Sequence, residues 1–196
     1  MHSKPRTMQM LKEELAILTL VAIGVLGTSW AQDASEKLQP LVETSARRLG
    51  IAQQIALAKW DSQAPVEDVA REAQVITAAA KDGESRGLDR AFVAHFLAAQ
   101  IEANKLVQYS LLANWRRVGM APAHKPINLA ATIRPELDKM QKDLIKELAD
   151  TTAIRGSALC HADTAKAVAK YLAAHKQDAG SLQGIALDRA MAATCI

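Results

Sequence analysis

The sequence predicts an all-α protein with a single multi-helix domain. Alanine is abundant, only 9 of the 196 residues are glycine and 6 are proline, and no run of alternating β-branched residues indicates a strand. Hydrophobic residues make up 49% of the chain, which is enough for one sizeable core at this length. We expect three long helices followed by a C-terminal helical extension that is closed by a disulfide.

Proline, glycine and capping residues indicate where each helix begins and ends. Pro40 lies close enough to the start of the first helix to be tolerated, Pro65 suits the first turn of the second, and Asp89 can cap the third. The expected helices are 36–60, 65–81, 89–117, 128–150, 162–176 and 181–194, with a linker at 118–127. The first three helices form the predicted catalytic part, about 36–117, and the extension is about 128–196.

The first 31 residues have the pattern of an export signal. Basic residues precede the apolar run 15–26, and Ser29 and Ala31 then supply small side chains at both positions that determine cleavage. The apolar run is too short to span a bilayer comfortably, so we expect no stable membrane anchor after cleavage. Cleavage after Ala31 would leave residues 32–196 as a periplasmic or secreted protein.

Two further observations bear on export. Glu13 and Glu14 are unusual in the basic part of a signal, so a buried N-terminal helix is the alternative interpretation. Cys160 and Cys195 favour export because an exported chain can oxidise them. We expect these cysteines to form a disulfide, which would stabilise the fold by roughly 3–4 kcal/mol in the chain-entropy model; two separate buried thiols are the alternative.

Charge and histidine placement argue against two classes of function. The net charge is only +3, and basic and acidic residues alternate without a basic block, so no nucleic-acid partner is expected. The cysteines are far apart and the five histidines show no helical pairing, so no metal site is expected either.

Four polar side chains interrupt apolar stripes on the first and third long helices. The stripes are Leu38, Leu41, Ser45, Arg48, Ala52, Ile55 and Lys59 on the first helix, and Val93, Leu97, Ile101, Asn104, Gln108, Leu111 and Trp115 on the third. A buried cation needs an anionic partner or loses its charge. Donors turned inward at Arg48, Lys59, Asn104 and Gln108 therefore indicate a bound anion or an internal ion pair.

The spacing of these polar residues resembles the all-helical, AroQ-type chorismate mutase family. Lys59 follows Arg48 by eleven residues, and Asp68 follows Lys59 by nine. The stretches that carry the resemblance are Ser45-Ala46-Arg47-Arg48-Leu49, Ala58-Lys59-Trp60, Val66-Glu67-Asp68-Val69-Ala70-Arg71-Glu72 and Gln100-Ile101-Glu102-Ala103-Asn104-Lys105-Leu106-Val107-Gln108-Tyr109-Ser110. Together with the signal, Arg134 and the two cysteines, the chain resembles the exported, gamma-class branch over residues 36–196.

The resemblance implies an enzyme that rearranges chorismate, its small-molecule substrate, to prephenate. This pericyclic reaction requires no nucleophile, no proton transfer and no cofactor. Chorismate carries two carboxylates, and its ether oxygen gains negative charge as the C–O bond breaks. A useful site therefore supplies cations for the carboxylates and donors at that oxygen.

By this resemblance, Arg48, Lys59 and Gln108 are the catalytic residues. Arg48 would hold a carboxylate, and Lys59 and Gln108 would donate to the ether oxygen. Because the Gln108 amide donates at any ordinary pH, we predict a rate that is nearly flat across neutral pH. The substrate-binding residues implied by the family are Asp68, Arg71, Glu72, Asn104 and Arg134.

Two positions depart from the family pattern. Val75 is apolar where exported relatives can place a polar residue, and Pro135 restricts the backbone of Arg134. The resemblance also allows a homodimer in which each pocket is built mainly within one chain.

Three alternatives to a mutase remain at this stage. An isochorismate pyruvate lyase could use a related helical pocket, an exported binding protein could hold an anionic metabolite without turnover, and a structural protein could use the polar stripe as an interface. A serine hydrolase is poorly supported, because Ser181 is in the wrong context for a nucleophile elbow.

Overall fold

The computed structural model describes residues 34–196, which are helical and contain no strand, as predicted. The predicted signal peptide and its cleavage position lie outside the described residues. Within 34–196, no helix is long and apolar enough to cross a membrane. The helices are α1 (Gln39–Gly50), α2 (Ala52–Ser62), α3 (Val69–Glu84), α4 (Arg90–Val118), α5 (Arg134–Asp150), α6 (Thr152–Arg155), α7 (Cys160–Ala174) and α8 (Leu182–Met191), and a π-helical turn (Leu129–Ile133) precedes α5.

Helices α1 and α2 together form the predicted first long helix. Ile51, which separates them, keeps helical backbone angles, and its carbonyl accepts a hydrogen bond from the Ile55 amide at 3.1 Å. Pro40 lies in the first turn of α1, where no amide is needed. The continuous helical path keeps Arg48 and Lys59 on one face, as the stripe required.

Helix α3 begins later than predicted. Pro65 lies in the loop before it, and Asp68 is the N-cap, with its carboxylate accepting a 3.1 Å hydrogen bond from the Arg71 amide. The Glu72 carboxylate returns to the Asp68 amide at 3.1 Å. These reciprocal bonds satisfy amides at the helix start, so they place the boundary at Asp68 rather than at the proline.

Helix α4 is the central helix of the fold. Asp89 caps it as predicted, accepting a 2.7 Å hydrogen bond from the Phe92 amide, and Gly119 ends it with a φ of 79°. Helices α2, α3 and α8 pack against α4. At Gly83 of α3, an added Cβ would lie 2.7 Å from the Val93 side chain, so glycine permits the close approach of α3 to α4.

The C-terminal extension packs against α1. Helices α5, α7 and α8 all contact α1, and their apolar side chains join the main core. Helices α7 and α8 are close to the predicted ones, whereas the short α6 was not predicted. The disulfide between Cys160 and Cys195 is present, with a Cα–Cα distance of 5.8 Å, which confirms the predicted pairing.

Candidate active site

A cavity of about 160 Å³ lies between the α1–α2 helix, α3, α4 and the start of α5. All eight site residues predicted from the sequence line it: Arg48, Lys59, Asp68, Arg71, Glu72, Asn104, Gln108 and Arg134. Its apolar wall includes Ile55, Ile101, Ile133 and Leu137. Residues separated by up to 86 positions in sequence thus meet at one place.

Arg48 is the most deeply buried cation of the cavity. Only 5% of the residue is exposed, and its Nε and Nη1 groups have no hydrogen-bond partner. Burial lowers the pKa of Arg48 to about 10, while the charge of Asp138 opposes this shift. A guanidinium at this pKa stays charged at neutral pH, so its unfilled donors are suited to an anion.

Asn104 and Gln108 form a fixed amide pair on α4. The Asn104 side-chain amide donates to the Arg48 backbone carbonyl at 2.9 Å, and the Gln108 amide donates to the Asn104 side-chain oxygen at 2.7 Å. Both residues are buried. Because a glutamine amide has two N–H groups, this arrangement holds Gln108 in place and leaves a second donor for a ligand.

Lys59 reaches the cavity from the last turn of α2. Its Nζ donates to the Val66 carbonyl in the loop before α3, which orients the ammonium group. Burial lowers the pKa of Lys59, the charges of Asp68 and Glu72 oppose that shift, and Lys105 adds to it. A lysine ammonium has three N–H donors, so the bond to Val66 leaves others for a ligand.

The start of α3 supplies charged side chains to the cavity, and it also makes contacts that fix the helix. The Asp68 and Glu72 carboxylates are engaged with backbone amides of the first turn. Arg71 lies 3.5 Å from Asp138 of α5, in an ion pair whose two side chains are partly exposed.

Arg134 lies at the mouth of the cavity, where it is exposed. Pro135 follows it within the first turn of α5, yet Arg134 has helical backbone angles, φ −61° and ψ −45°. The π-helical turn that Asn128 caps leads directly into this residue. Val75 lines the cavity and contributes an apolar surface at its position.

The sequence interpretation missed three polar residues of the cavity: Lys105, Asp138 and Gln141. Lys105 lies beside Asn104 but off the apolar stripe, so the stripe did not identify it as buried. Asp138 lies one turn after Arg134, and Gln141 follows three residues later. That i, i+4, i+7 spacing could have identified them as neighbours of Arg134.

The charge of the lining residues suits a dianion. Five lining side chains are cationic (Arg48, Lys59, Arg71, Lys105 and Arg134), and three are carboxylates (Asp68, Glu72 and Asp138), which leaves a net charge of +2. Among the described residues, no group of three or more histidine, cysteine or acidic side chains could hold a metal ion.

Both the sequence and the fold of this chain are similar to those of chorismate mutases. Residues 39–109 match the family model described as chorismate mutase type II. The crystal structure of the chorismate mutase from Burkholderia phymatum is 44% identical, with a TM-score of 0.78, and the match covers 83% of this chain and 98% of that one. For the chorismate mutase from Burkholderia thailandensis the identity is 32% and the TM-score 0.76, covering 81% of this chain and 99% of that one.

Two relatives bear on location. The protein is 29% identical to a secreted chorismate mutase of Mycolicibacterium smegmatis, over 79% of this chain and 85% of the relative. It is 26% identical to a secreted chorismate mutase of Mycobacterium tuberculosis, over 79% of this chain and 81% of the relative. In agreement with its disulfide, this protein is exported. The polar cavity, the helical fold and the 44% identity to a solved relative together place the chain in the chorismate mutase family, type II.

Proposed function

We propose that this protein converts chorismate to prephenate, and that its catalysis is electrostatic. The observation that carries the proposal is the buried Arg48 guanidinium, which has two donors without partners and belongs to the lining of a cavity with net positive charge. A folded protein retains unsatisfied buried donors at a cost, which an anionic ligand would offset. A dicarboxylate would neutralise the net positive charge of the residues that line this cavity.

The arginines are assigned to the two substrate carboxylates. Arg48 would hold one carboxylate at the closed end of the cavity, while Arg134 and Arg71 would hold the other from the mouth, where both are more exposed. A guanidinium can bind a carboxylate through two parallel hydrogen bonds, which fixes orientation as well as position. Two fixed carboxylates would hold the substrate in its compact, reactive conformer.

Lys59 and Gln108 are assigned to the ether oxygen. They reach the cavity from α2 and α4, each held by a backbone or side-chain acceptor and each with a donor to spare. Donors that are already oriented stabilise charge developing in the transition state without reorganising. The rearrangement is pericyclic, with the C–O bond breaking as the C–C bond forms, so neither residue needs to transfer a proton.

The proposal is tested by the loss of chorismate absorbance with the purified protein, with prephenate identified as the product. Lys59→Ala and Gln108→Ala should each lower kcat/KM by about 10²–10³-fold, because each removes a transition-state donor. Lys142→Ala and Gln53→Ala are matched controls, since both side chains are exposed and lie outside the cavity.

Other products would redirect the assignment. Release of pyruvate from isochorismate, with no prephenate formed from chorismate, would indicate a lyase that uses the same helical pocket. Saturable chorismate binding without turnover would indicate a binding protein, and a folded protein without binding would remove the dicarboxylate site.

We also propose that each active site is complete within one chain, whether or not the protein forms a homodimer. The cavity receives Arg134, with Asp138 and Gln141, from α5 of the same chain, and its remaining walls come from α1–α4, the loop before α3 and the π-helical turn. Light scattering coupled to size-exclusion chromatography would give the oligomeric state. If the protein forms a dimer, dilution will dissociate it, and specific activity that stays constant through this dissociation would support an intrachain site.

A further inference from the structure

Lys105 is a buried cation whose contacts differ from those of Lys59. Its side chain is only 8% exposed, and its Nζ lies 2.6 Å from Glu102, 3.1 Å from Glu72 and 3.7 Å from Glu67. Although burial lowers the pKa of Lys105, its hydrogen bonds to Glu102 and Glu72 and the negative charges of these carboxylates outweigh that effect and raise the pKa above the ordinary value. Lys105 therefore carries a permanent charge in the cavity wall.

The charge partners separate Lys105 from a substrate ligand. Its ammonium group lies within hydrogen-bond distance of Glu72 and Glu102 and forms a longer ion pair with Glu67. Lys59 instead donates to a neutral acceptor, the Val66 carbonyl. The charge of Lys59 is therefore open to an anionic ligand, whereas the charge of Lys105 is already paired with protein carboxylates.

The contacts of Lys105 join α4 to the start of α3. Glu72 binds Lys105 through one carboxylate oxygen and the Asp68 amide through the other. Asp68 in turn caps the Arg71 amide. The first turn of α3, with three cavity-lining side chains, is thus connected through Glu72 to a buried charge on α4.

We infer that Lys105 is a positioning residue that holds the first turn of α3 against α4 and neutralises the carboxylates beside the dianion site. This inference rests on the proposed function and adds a residue to it. Without the Lys105 charge, Glu67, Glu72 and Glu102 would lose a cationic partner beside the cavity. Their negative charge would oppose a dicarboxylate, and the turn that carries Arg71 would lose its contact with α4.

The test is Lys105→Met, which keeps an unbranched side chain but removes the charge. We expect KM for chorismate to rise about ten-fold while kcat stays within about three-fold, because the site loses a cation but keeps Lys59 and Gln108. The double variant Lys105→Met/Glu67→Gln should recover about three-fold of the lost KM, since it removes one of the stranded carboxylates. Glu67→Gln alone is the matched control and should leave KM within about two-fold.

The kinetic pattern distinguishes the inference from two other roles. A purely structural lysine would lower the fraction of folded, active molecules, which reduces kcat and leaves KM unchanged. A lysine that touches the reacting atoms would reduce kcat strongly in fully folded protein. Either pattern, or unchanged kinetics, would overturn the positioning role.

Amide hydrogen exchange provides a readout that does not depend on turnover. In Lys105→Met, the amides of Arg71 and Glu72 should exchange faster than in the wild type, while those at the centre of α4 stay protected. Unchanged exchange at the start of α3 would overturn the inference even if wild-type turnover were normal. Absence of wild-type turnover would instead count against the proposed function, and exchange would still test the Lys105 contacts.

Discussion

Two buried arginines occupy different regions of this protein and have different surroundings. Arg155, in the C-terminal extension, is 1% exposed; its guanidinium donates to the Leu148 carbonyl and the Thr152 hydroxyl, and lies 4.3 Å from the centre of the Phe92 ring. Arg48 is 5% exposed and has two groups without partners. Burial lowers the pKa of both residues.

The difference shows that burial alone does not identify a functional arginine. Both side chains are desolvated, and each has an unpartnered Nη1. Arg155, however, uses its other donors and its flat face on the protein itself, whereas Arg48 borders a cavity. We therefore assign Arg155 to stability and Arg48 to ligand binding, and exchanging either for alanine tests that division.

Arg48→Ala should have the largest effect on activity. Loss of a buried, charge-assisted contact to a substrate carboxylate should lower kcat/KM by about 10³-fold, which corresponds to about 4 kcal/mol. The melting temperature should change little, because the truncated side chain extends an existing cavity and removes a desolvated charge. Steady-state kinetics and thermal denaturation of the same preparation measure both effects. A marked loss of stability with normal kinetics would reverse the assignment.

Arg155→Ala should show the opposite pattern. The change leaves the Leu148 carbonyl without its donor, removes the contact with Phe92 and opens a cavity in the core, so we expect a loss of about 2–3 kcal/mol of stability. KM for chorismate should match the wild type in the folded protein. Thermal unfolding by circular dichroism gives the stability change, and a raised KM would show that the extension contributes to the site.

Sequence patterns identified buried polar residues of the cavity better than those of the C-terminal extension. The polar breaks at Arg48 and Gln108 stood out because each interrupted an apolar stripe along a single helix. Lys105 and Arg155 gave no such signal, because their burial depends on a second helix or an aromatic ring that covers them. Helix α4 began at its predicted cap, whereas α3 began at Asp68 because reciprocal side-chain bonds, and not Pro65, set its boundary.

An amide in the active site and a carboxyl group in the α1–α5 interface should respond differently to pH. Gln108 cannot titrate, so the rate should stay nearly flat from about pH 6 to about pH 8, and should fall only at alkaline pH as Lys59, whose pKa burial lowers, loses its proton. Gln108→Glu should instead be active only at acidic pH, where the new carboxyl group can donate. A wild-type rate that falls steeply across neutral pH would contradict this role for Gln108.

Glu147 should make stability depend on pH where activity does not. Burial raises the pKa of Glu147 to about 7; the hydrogen bond from Thr44 and the charges of Arg47 and Lys146 oppose this, and Asp143 adds to it. Since the folded state holds the proton more tightly than the unfolded state, the resulting stabilisation is complete below the ordinary pKa of 4.5 and disappears as pH rises through about 7. Glu147→Gln should weaken this decline in melting temperature, whereas the exposed control Glu136→Gln should retain it. An equal decline in both variants would assign the pH dependence to other groups and leave the α1–α5 interface insensitive to pH.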